Sequence, residues 1–375
     1  MDDVDLRHKS ILLRVDLNSA IINGKVELSD RLVEHSKTIK ELIKKKARVV
    51  VLAHQGRKGG DDFISLRQHA KLLNKYVGIG FVDDVYGSKA IDAINKLGYG
   101  QALLLENVRY LEEEEDSSKS NKFVNTLSRY FDYYVNDAFS VSHRDQASVT
   151  GFPKVLPGLI GRVMQAEIEG ADKIRLEDVL FVLGGNKPEE HINLIRSKKN
   201  ARILSCGMFG QACLIAKGRN LGRQNNVLEE KKIRVDNALI RRYNVDTPID
   251  FAVDVNGIRR EISLEELPSK YEMFDIGRKT VELYSSMIRK ASVVLMKGPA
   301  GRYEDRRFIY GTKMLLDAIV NSNAYTIIAG GNTLSAMKYL NISKDKVSHV
   351  SLAGGAFIEY IAGRKLPGLE ILKKR

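Results

Sequence analysis

The chain has 375 residues, 43% hydrophobic and 29% charged, with 60 Lys and Arg against 47 Asp and Glu for a formal net charge of +13. This is a globular composition, long enough for two domains with separate cores. It excludes a helical membrane protein, because no apolar run approaches the roughly 18 residues that a span needs. With Cys206 and Cys213 as the only cysteines, it also excludes a disulfide scaffold or a Cys/His zinc site.

The opening MDDVDLRHKS lacks the apolar stretch of a signal peptide, so a cytoplasmic location is expected. The basic residues are scattered among acids, as in solvated helix faces such as Lys44-Lys45-Lys46, with no basic tail and no recognisable nucleic-acid module. No nucleic-acid or membrane partner is therefore expected.

The first half alternates strand and helix. Expected in order are a strand at ILLRVDL, a hairpin turn at Asn23-Gly24, a helix from Arg31 to Lys46 and a strand at RVVVLAHQ. A helix from Ser65 to Tyr76, a strand at QALLLEN, a helix from Asn121 to Tyr130 and a strand at DYYVNDAF follow. Asp30 and Ser65 are the expected N-caps. Continuous apolar runs such as Val49–Leu52 suit central strands of a parallel sheet. Gly161–Arg175 (GRVMQAEIEGADKIR) reads as a connecting helix.

The second half repeats the alternation, with a hairpin-like insert around Asn256-Gly257. A hydrophobic strand runs through a glycine pair into a helix at Gly184-Gly185, Gly330-Gly331 and Gly354-Gly355. Glycine there lets backbone N–H groups approach an anion at a helix N-terminus. The pattern predicts two doubly wound, parallel-sheet α/β domains in series, binding ligands outside the carboxyl ends of their strands. The expected domains are 1–160 and 177–365, with a linking helix over 161–176.

Strand ends of the first half carry Asp16 and Asn18, then His54 and Arg57, then Asn107 and Arg109, then Asn136, Asp137, His143 and Arg144. A single arginine after a strand is usually solvated. Arg57, Arg109 and Arg144 at equivalent strand ends, with Arg31 beside them, converge on one rim and suit a small, multiply charged anion. In the second half, Lys187 opens a helix after its glycine pair, where a solvated lysine is an equally good reading. Gly298 and Gly301 form a further turn, Glu304 can accept ribose hydroxyls, and Thr333 offers a hydroxyl and a helix N-terminal amide. A phosphorylated-metabolite site facing a nucleotide site implies transfer between them. Neither G-x-x-x-x-G-K-[ST] nor G-x-G-x-x-G is present, so Walker-type and dinucleotide-binding readings fail.

The segments LLRVDLNSA, VVVLAHQGR, LLLENVRYLEEEE, YYVNDAFSVSHR, VLGGNK, FDIGRKTVE, GPAGRYE, AGGNT and SHVSLAGGAFIE occur in this order over nearly the whole chain. In them the chain resembles the phosphoglycerate kinase family, and the wording GGNKPEE resembles its archaeal branch. The resemblance implies 1,3-bisphosphoglycerate + ADP ⇌ 3-phosphoglycerate + ATP with Mg²⁺, by direct in-line transfer with hinge closure, in a monomer or homodimer. It implies that Asp16, Asn18, Arg31, His54, Arg57, Arg109 and Arg144 bind phosphoglycerate. Lys187, Gly207, Gly277, Gly298, Glu304, Gly330, Gly331, Asn332 and Thr333 are implied for nucleotide, and Asn332 for the metal, through water. Arg31, Lys187, Gly330 and Gly354 are implied at the moving phosphoryl, and residues 366–375 as a tail returning to the first domain. A non-catalytic metabolite-binding relative is the alternative.

The chain departs from the family's common pattern at His191 (usually Lys), Lys297 (usually Asn), Asn332 (usually Asp), and Ala329 and Ala353 (usually Gly). Lys297 has two equal readings, a cation that restores the one lost at position 191 or a solvated lysine at a loop.

Overall fold

The computed structural model describes residues 1–176, 178–198 and 200–373. The boundary expected at residue 177 and the last two residues of the expected tail fall outside them. The chain forms two compact units, Met1–Ile168 with Arg364–Arg375, and Glu169–Gly363.

In the first unit the strands are β1 (Ser10–Arg14), β2 (Ile21–Ile22), β3 (Lys25–Val26), β4 (Arg48–Leu52), β5 (Gly80–Phe81), β6 (Ala102–Leu104), β7 (Tyr133–Asn136) and β8 (Gly158–Ile160). All but the β2–β3 hairpin join one sheet of order β5-β6-β4-β1-β7-β8, parallel throughout. Its central strands are apolar because both faces are covered: alternation sends Ile11, Leu13, Val49 and Val51 into one core, and Leu12, Val50 and Leu52 into the other. Burying each such side chain contributes about 1.5–3 kcal/mol. Asn23 and Gly24 turn the hairpin with φ of 50° and 73°, the left-handed pair that a two-residue turn requires.

The first long helix is Asp30–Lys44, and its cap is Ser29, whose hydroxyl accepts from the Leu32 N–H; Asp30 is instead the first helical residue. Ser65 also differs from expectation. The helix is Arg67–Leu73 with no side-chain cap, and the Ser65 hydroxyl donates to Glu106 at 2.6 Å.

The second unit contains β9 (Val179–Leu183), β10 (Arg202–Ser205), β11 (Val245–Asp246), β12 (Asp250–Val255), β13 (Ile258–Ser263), β14 (Met273–Ile276), β15 (Val293–Lys297), β16 (Tyr325–Ala329) and β17 (His349–Ser351). Its parallel sheet has the order β11-β10-β9-β15-β16-β17, and β13-β12-β14 form a small separate sheet. The β12–β13 hairpin turns on Asn256 and Gly257, with φ of 54° and 84°. From β9 the chain runs outward to β10 and β11, then resumes on the other side at β15. The switch point therefore lies between the carboxyl ends of β9 and β15, the crevice where doubly wound sheets bind ligands.

Candidate functional site

In the first unit, β1 delivers Asp16 into a buried position, 3% exposed. Its carboxylate lies 3.2 Å from Arg31 Nη1 and accepts from the Asn18 N–H at 2.9 Å and from the Ser140 hydroxyl. Burial alone would raise this carboxyl; the nearby Arg31 charge, the Ser140 bond and the Asn18 N–H outweigh it and hold it well below the carboxylate range. Arg31 also donates to the Asn18 carbonyl at 3.1 Å, and Asn18 Oδ1 accepts from the Gly56 N–H at 2.9 Å. Asp16 and Asn18 thus fix Arg31 and the loop after β4. The Asp16 N–H in turn donates to His35 Nε2 at 3.2 Å, and His35 Nδ1 meets Asp137 at 2.8 Å.

Arg14, 1% exposed, sits behind this cluster and donates to His54 Nδ1 at 3.2 Å. A guanidinium only donates, so Nδ1 accepts and the ring proton is on Nε2. Burial, followed by the Arg14 charge, pushes the His54 pKa well below its ordinary value, so His54 is a neutral donor rather than a base. Arg109 donates to the Gly56 carbonyl; burial, then the charges of Arg144 and Arg14, bring its pKa down to about 10. Arg57 is exposed, and its charge too acts on Arg109. These cations destabilise one another, which is the electrostatic condition that a polyanion relieves. The structure brings Asp16, Asn18, Arg31, His54, Arg109 and Arg144 together, with Arg57 on the rim.

Arg14 and Ser140 were absent from the sequence-derived set. The signal for Arg14 was an arginine inside an otherwise apolar strand. Its anchor is remote: Nε donates to Ser148 Oγ at 2.8 Å, and the Ser148 hydroxyl donates to Glu114 at 2.6 Å. Burial raises the Glu114 carboxyl to about 7, against the pull of Arg14 and Ser148. The folded state thus binds this proton more tightly than the unfolded chain. Its contribution to stability is complete below the ordinary value of 4.5 and is lost as pH rises through about 7. Denaturant midpoints of the wild type are expected to fall across that window more steeply than those of Glu114→Gln; parallel profiles would refute the assignment.

In the second unit the glycines divide into two kinds. A Cβ on Gly298 (φ +85°) would fall on the Gly184 carbonyl, 2.5 Å from its carbon, and one on Gly207 (φ +55°) would lie 2.7 Å from the Gly185 nitrogen. A Cβ on Gly184 would overlap the Pro299 carbonyl oxygen. The turns after β9, β10 and β15 interlock backbone against backbone, so these glycines serve turn packing first. Gly331, Gly354 and Gly355 meet nothing within 4 Å. Ala329 and Ala353 point inward, 6% and 3% exposed, so the alanines leave the turn itself to Gly330 (φ +88°) and Gly354 (φ +55°).

A cavity of about 400 Å³ is lined by Gly185, Asn186, Gly207, Met208, Gln211, Phe274, Tyr303, Glu304 and Asn332, among others. A second, of about 150 Å³, is lined by Gly184, Gly185, Asn186, Lys187, Glu190, His191, Lys297, Gly298, Gly330, Gly331, Asn332 and Thr333. They share Gly185, Asn186 and Asn332, and their sizes suit a nucleoside and its phosphates. Lys187 is exposed, 3.6 Å from Glu190.

Several expected residues differ in detail. Thr333 has no proton to offer: its hydroxyl donates to the Ala329 carbonyl at 2.9 Å and accepts from the Gly298 N–H at 2.7 Å. Gly277 lines neither cavity. The helix it opens is capped by Asp250, which accepts from the Lys279 and Thr280 N–H groups at 2.9 and 2.8 Å. Gly354 lines neither cavity either. Both cysteines are free and buried, and burial pushes the Cys213 thiol up to about 12, which makes it inert.

A doubly wound α/β unit with an arginine–histidine cluster, and another with two adjoining cavities, fit the phosphotransferase class. The family model for phosphoglycerate kinase matches residues 1–364, and the chain belongs to the phosphoglycerate kinase family. It is 41% identical to the phosphoglycerate kinase of Sulfurisphaera tokodaii over 99% of this chain and 95% of that protein. Against that of Sulfolobus acidocaldarius the identity is 42%, with 99% and 95% covered. The crystal structure of phosphoglycerate kinase from Pyrococcus horikoshii OT3 superimposes with a TM-score of 0.87 at 30% identity, over 100% of this chain and 98% of that one.

Proposed function

We propose that this chain transfers the acyl phosphate of 1,3-bisphosphoglycerate to ADP, reversibly, giving ATP and 3-phosphoglycerate in the cytoplasm. The observation that carries the reading is the cluster of mutually repelling cations Arg14, Arg109 and Arg144 around His54, matched in the same chain by a nucleoside-sized cavity that shares lining residues with a lysine-lined one. Arg31, His54, Arg57, Arg109 and Arg144 hold the phosphoglycerate, with Asp16 and Asn18 aiming Arg31. Glu304 accepts ribose hydroxyls, while Lys187 and the amides of Gly330 and Gly331 meet the nucleotide phosphates.

An ionised oxygen of the ADP β-phosphate attacks phosphorus, and the bond from phosphorus to the acyl oxygen breaks to release a carboxylate. No proton moves at the transferring centre, so neither a general base nor a covalent enzyme intermediate is needed. In-line positioning and cations around the equatorial oxygens suffice. His54 fits this scheme, since it is fixed as a donor.

Among the described residues no cluster of three or more His, Cys, Asp or Glu could hold a metal ion. Mg²⁺ that keeps its waters and rides on nucleotide phosphates needs no such cluster, and Asn332, which lines both cavities, offers it a side-chain oxygen. When bound, Mg²⁺ neutralises phosphate charge. Asn332→Asp is expected to lower the Mg²⁺ concentration for half-maximal rate several-fold, and an unchanged Mg²⁺ titration would remove Asn332 from the metal's surroundings.

The assay that tests the reading supplies ATP and 3-phosphoglycerate and couples removal of the acyl phosphate product to a spectroscopic signal. Turnover is expected in the wild type and a loss on the order of 10²-fold in Lys187→Ala. A wild type without turnover would favour the non-catalytic relative.

A further inference from the structure

β15 ends in Lys297 at the topological switch point, with its side chain 8% exposed and its ammonium 2.8 Å from Glu190 Oε2. The lysine forms part of the small cavity: a Cβ on Gly330 would lie 3.5 Å from its Nζ. A buried ammonium needs a partner charge, and Glu190 is the carboxylate that supplies it. Glu190 itself is 42% exposed and also lies 3.6 Å from Lys187 Nζ. One accessible carboxylate on the first turn of the helix Pro188–Ser197 thus answers two ammonium groups.

His191 explains why a lysine fits here. Its Nε2–H donates to the Gly184 carbonyl at 2.6 Å, and its Nδ1 is buried without a partner. Burial lowers its pKa to about 4, so the ring is uncharged near neutrality. The charged groups facing Lys297 in the cavity are then Glu190 and Lys187 from the helix after β9; the turn after β16 contributes Gly330, Gly331, Asn332 and Thr333 and no charge. An ammonium at position 191 would oppose Lys297, whereas a neutral ring does not.

We propose that Lys297 contacts the terminal phosphates of the bound nucleotide, and that Glu190 is its displaceable counter-ion, giving up the ammonium when phosphate enters. The proposal rests on the nucleotide reading of the two cavities. The phosphate oxygens replace the carboxylate at Lys297 Nζ, so the buried ammonium is paired in both states. Glu190, being exposed, can turn to water.

Calorimetric binding of MgATP and AMP, kcat and thermal melting would be compared in the wild type, Lys297→Met, Lys297→Arg and Glu190→Gln. Lys297→Met is expected to lower kcat by on the order of 10²-fold and to weaken MgATP far more than AMP, with partial recovery in Lys297→Arg. Glu190→Gln, which removes the competitor, is expected to bind MgATP about fivefold tighter. Wild-type turnover, with MgATP and AMP binding unchanged in Lys297→Met, overturns the proposal and leaves the kinase reading standing. MgATP binding that depends on Lys297 in a wild type without turnover supports the proposal and overturns the kinase reading. Weaker MgATP binding in Glu190→Gln overturns the counter-ion role.

Discussion

Arg31→Ala is expected to lose on the order of 10²–10³ in kcat, or about 2.7–4 kcal/mol of barrier, with little change in KM for ADP. The guanidinium is held at 3.2 Å by Asp16 and at 3.1 Å by the Asn18 carbonyl, so its direction is set before substrate arrives. A donor aimed in advance at developing charge costs no reorganisation during the reaction. The same substitution strips the buried Asp16 carboxylate of its cation. Removing one member of a buried pair costs about 3–5 kcal/mol. Arg31 is 28% exposed, so the expected loss of stability is nearer 1–3 kcal/mol. Asp16→Asn combined with Arg31→Ala separates the two effects, restoring the melting temperature but not the rate. A kcat for Arg31→Ala within threefold of wild type would remove Arg31 from the moving phosphoryl.

Gly298→Ala is expected to destabilise the second unit by about 3–5 kcal/mol and to weaken nucleotide binding with it. The new methyl would fall on the Gly184 carbonyl, 2.5 Å from its carbon and 3.0 Å from the Gly185 nitrogen, at φ +85°. The three nearest atoms it meets are backbone, so the turn after β9 must move, and Lys187 moves with it. Gly331→Ala is the control: it meets nothing within 4 Å and opens the helix Gly331–Tyr339. Its melting temperature is expected to hold or to rise by the equivalent of up to about 1 kcal/mol. Equal melting of the two variants would refute the division of the glycines into packed and open kinds.

The central strands were legible because burial on both faces makes them continuously apolar, and both hairpins because Asn-Gly demands left-handed φ. Edge elements were not. Gly80–Phe81 is a two-residue strand, and the helix Ser88–Lys96 starts without a side-chain cap, so neither carries a strong local signal. The arginines at strand ends were readable as a rim. Arg14 stood out as a charge inside an apolar strand, but its role was not readable, because its anchor Ser148 lies 134 residues away. Glycine was the least decipherable residue. The letters at Gly298 and Gly331 are the same, yet one is closed by opposing backbone and the other is open. Thr333 shows the same limit, since a hydroxyl after a glycine pair looks available until its partners are known.

The two proposed ligand sites carry meaning only if the phosphoryl passes directly from one substrate to the other. The test is isotope exchange between labelled ADP and ATP, followed with and without 3-phosphoglycerate. Direct transfer requires exchange in its presence and none in its absence. Exchange without 3-phosphoglycerate would reveal a phosphorylated enzyme, and no exchange with it would show that the nucleotide is not a partner in the reaction.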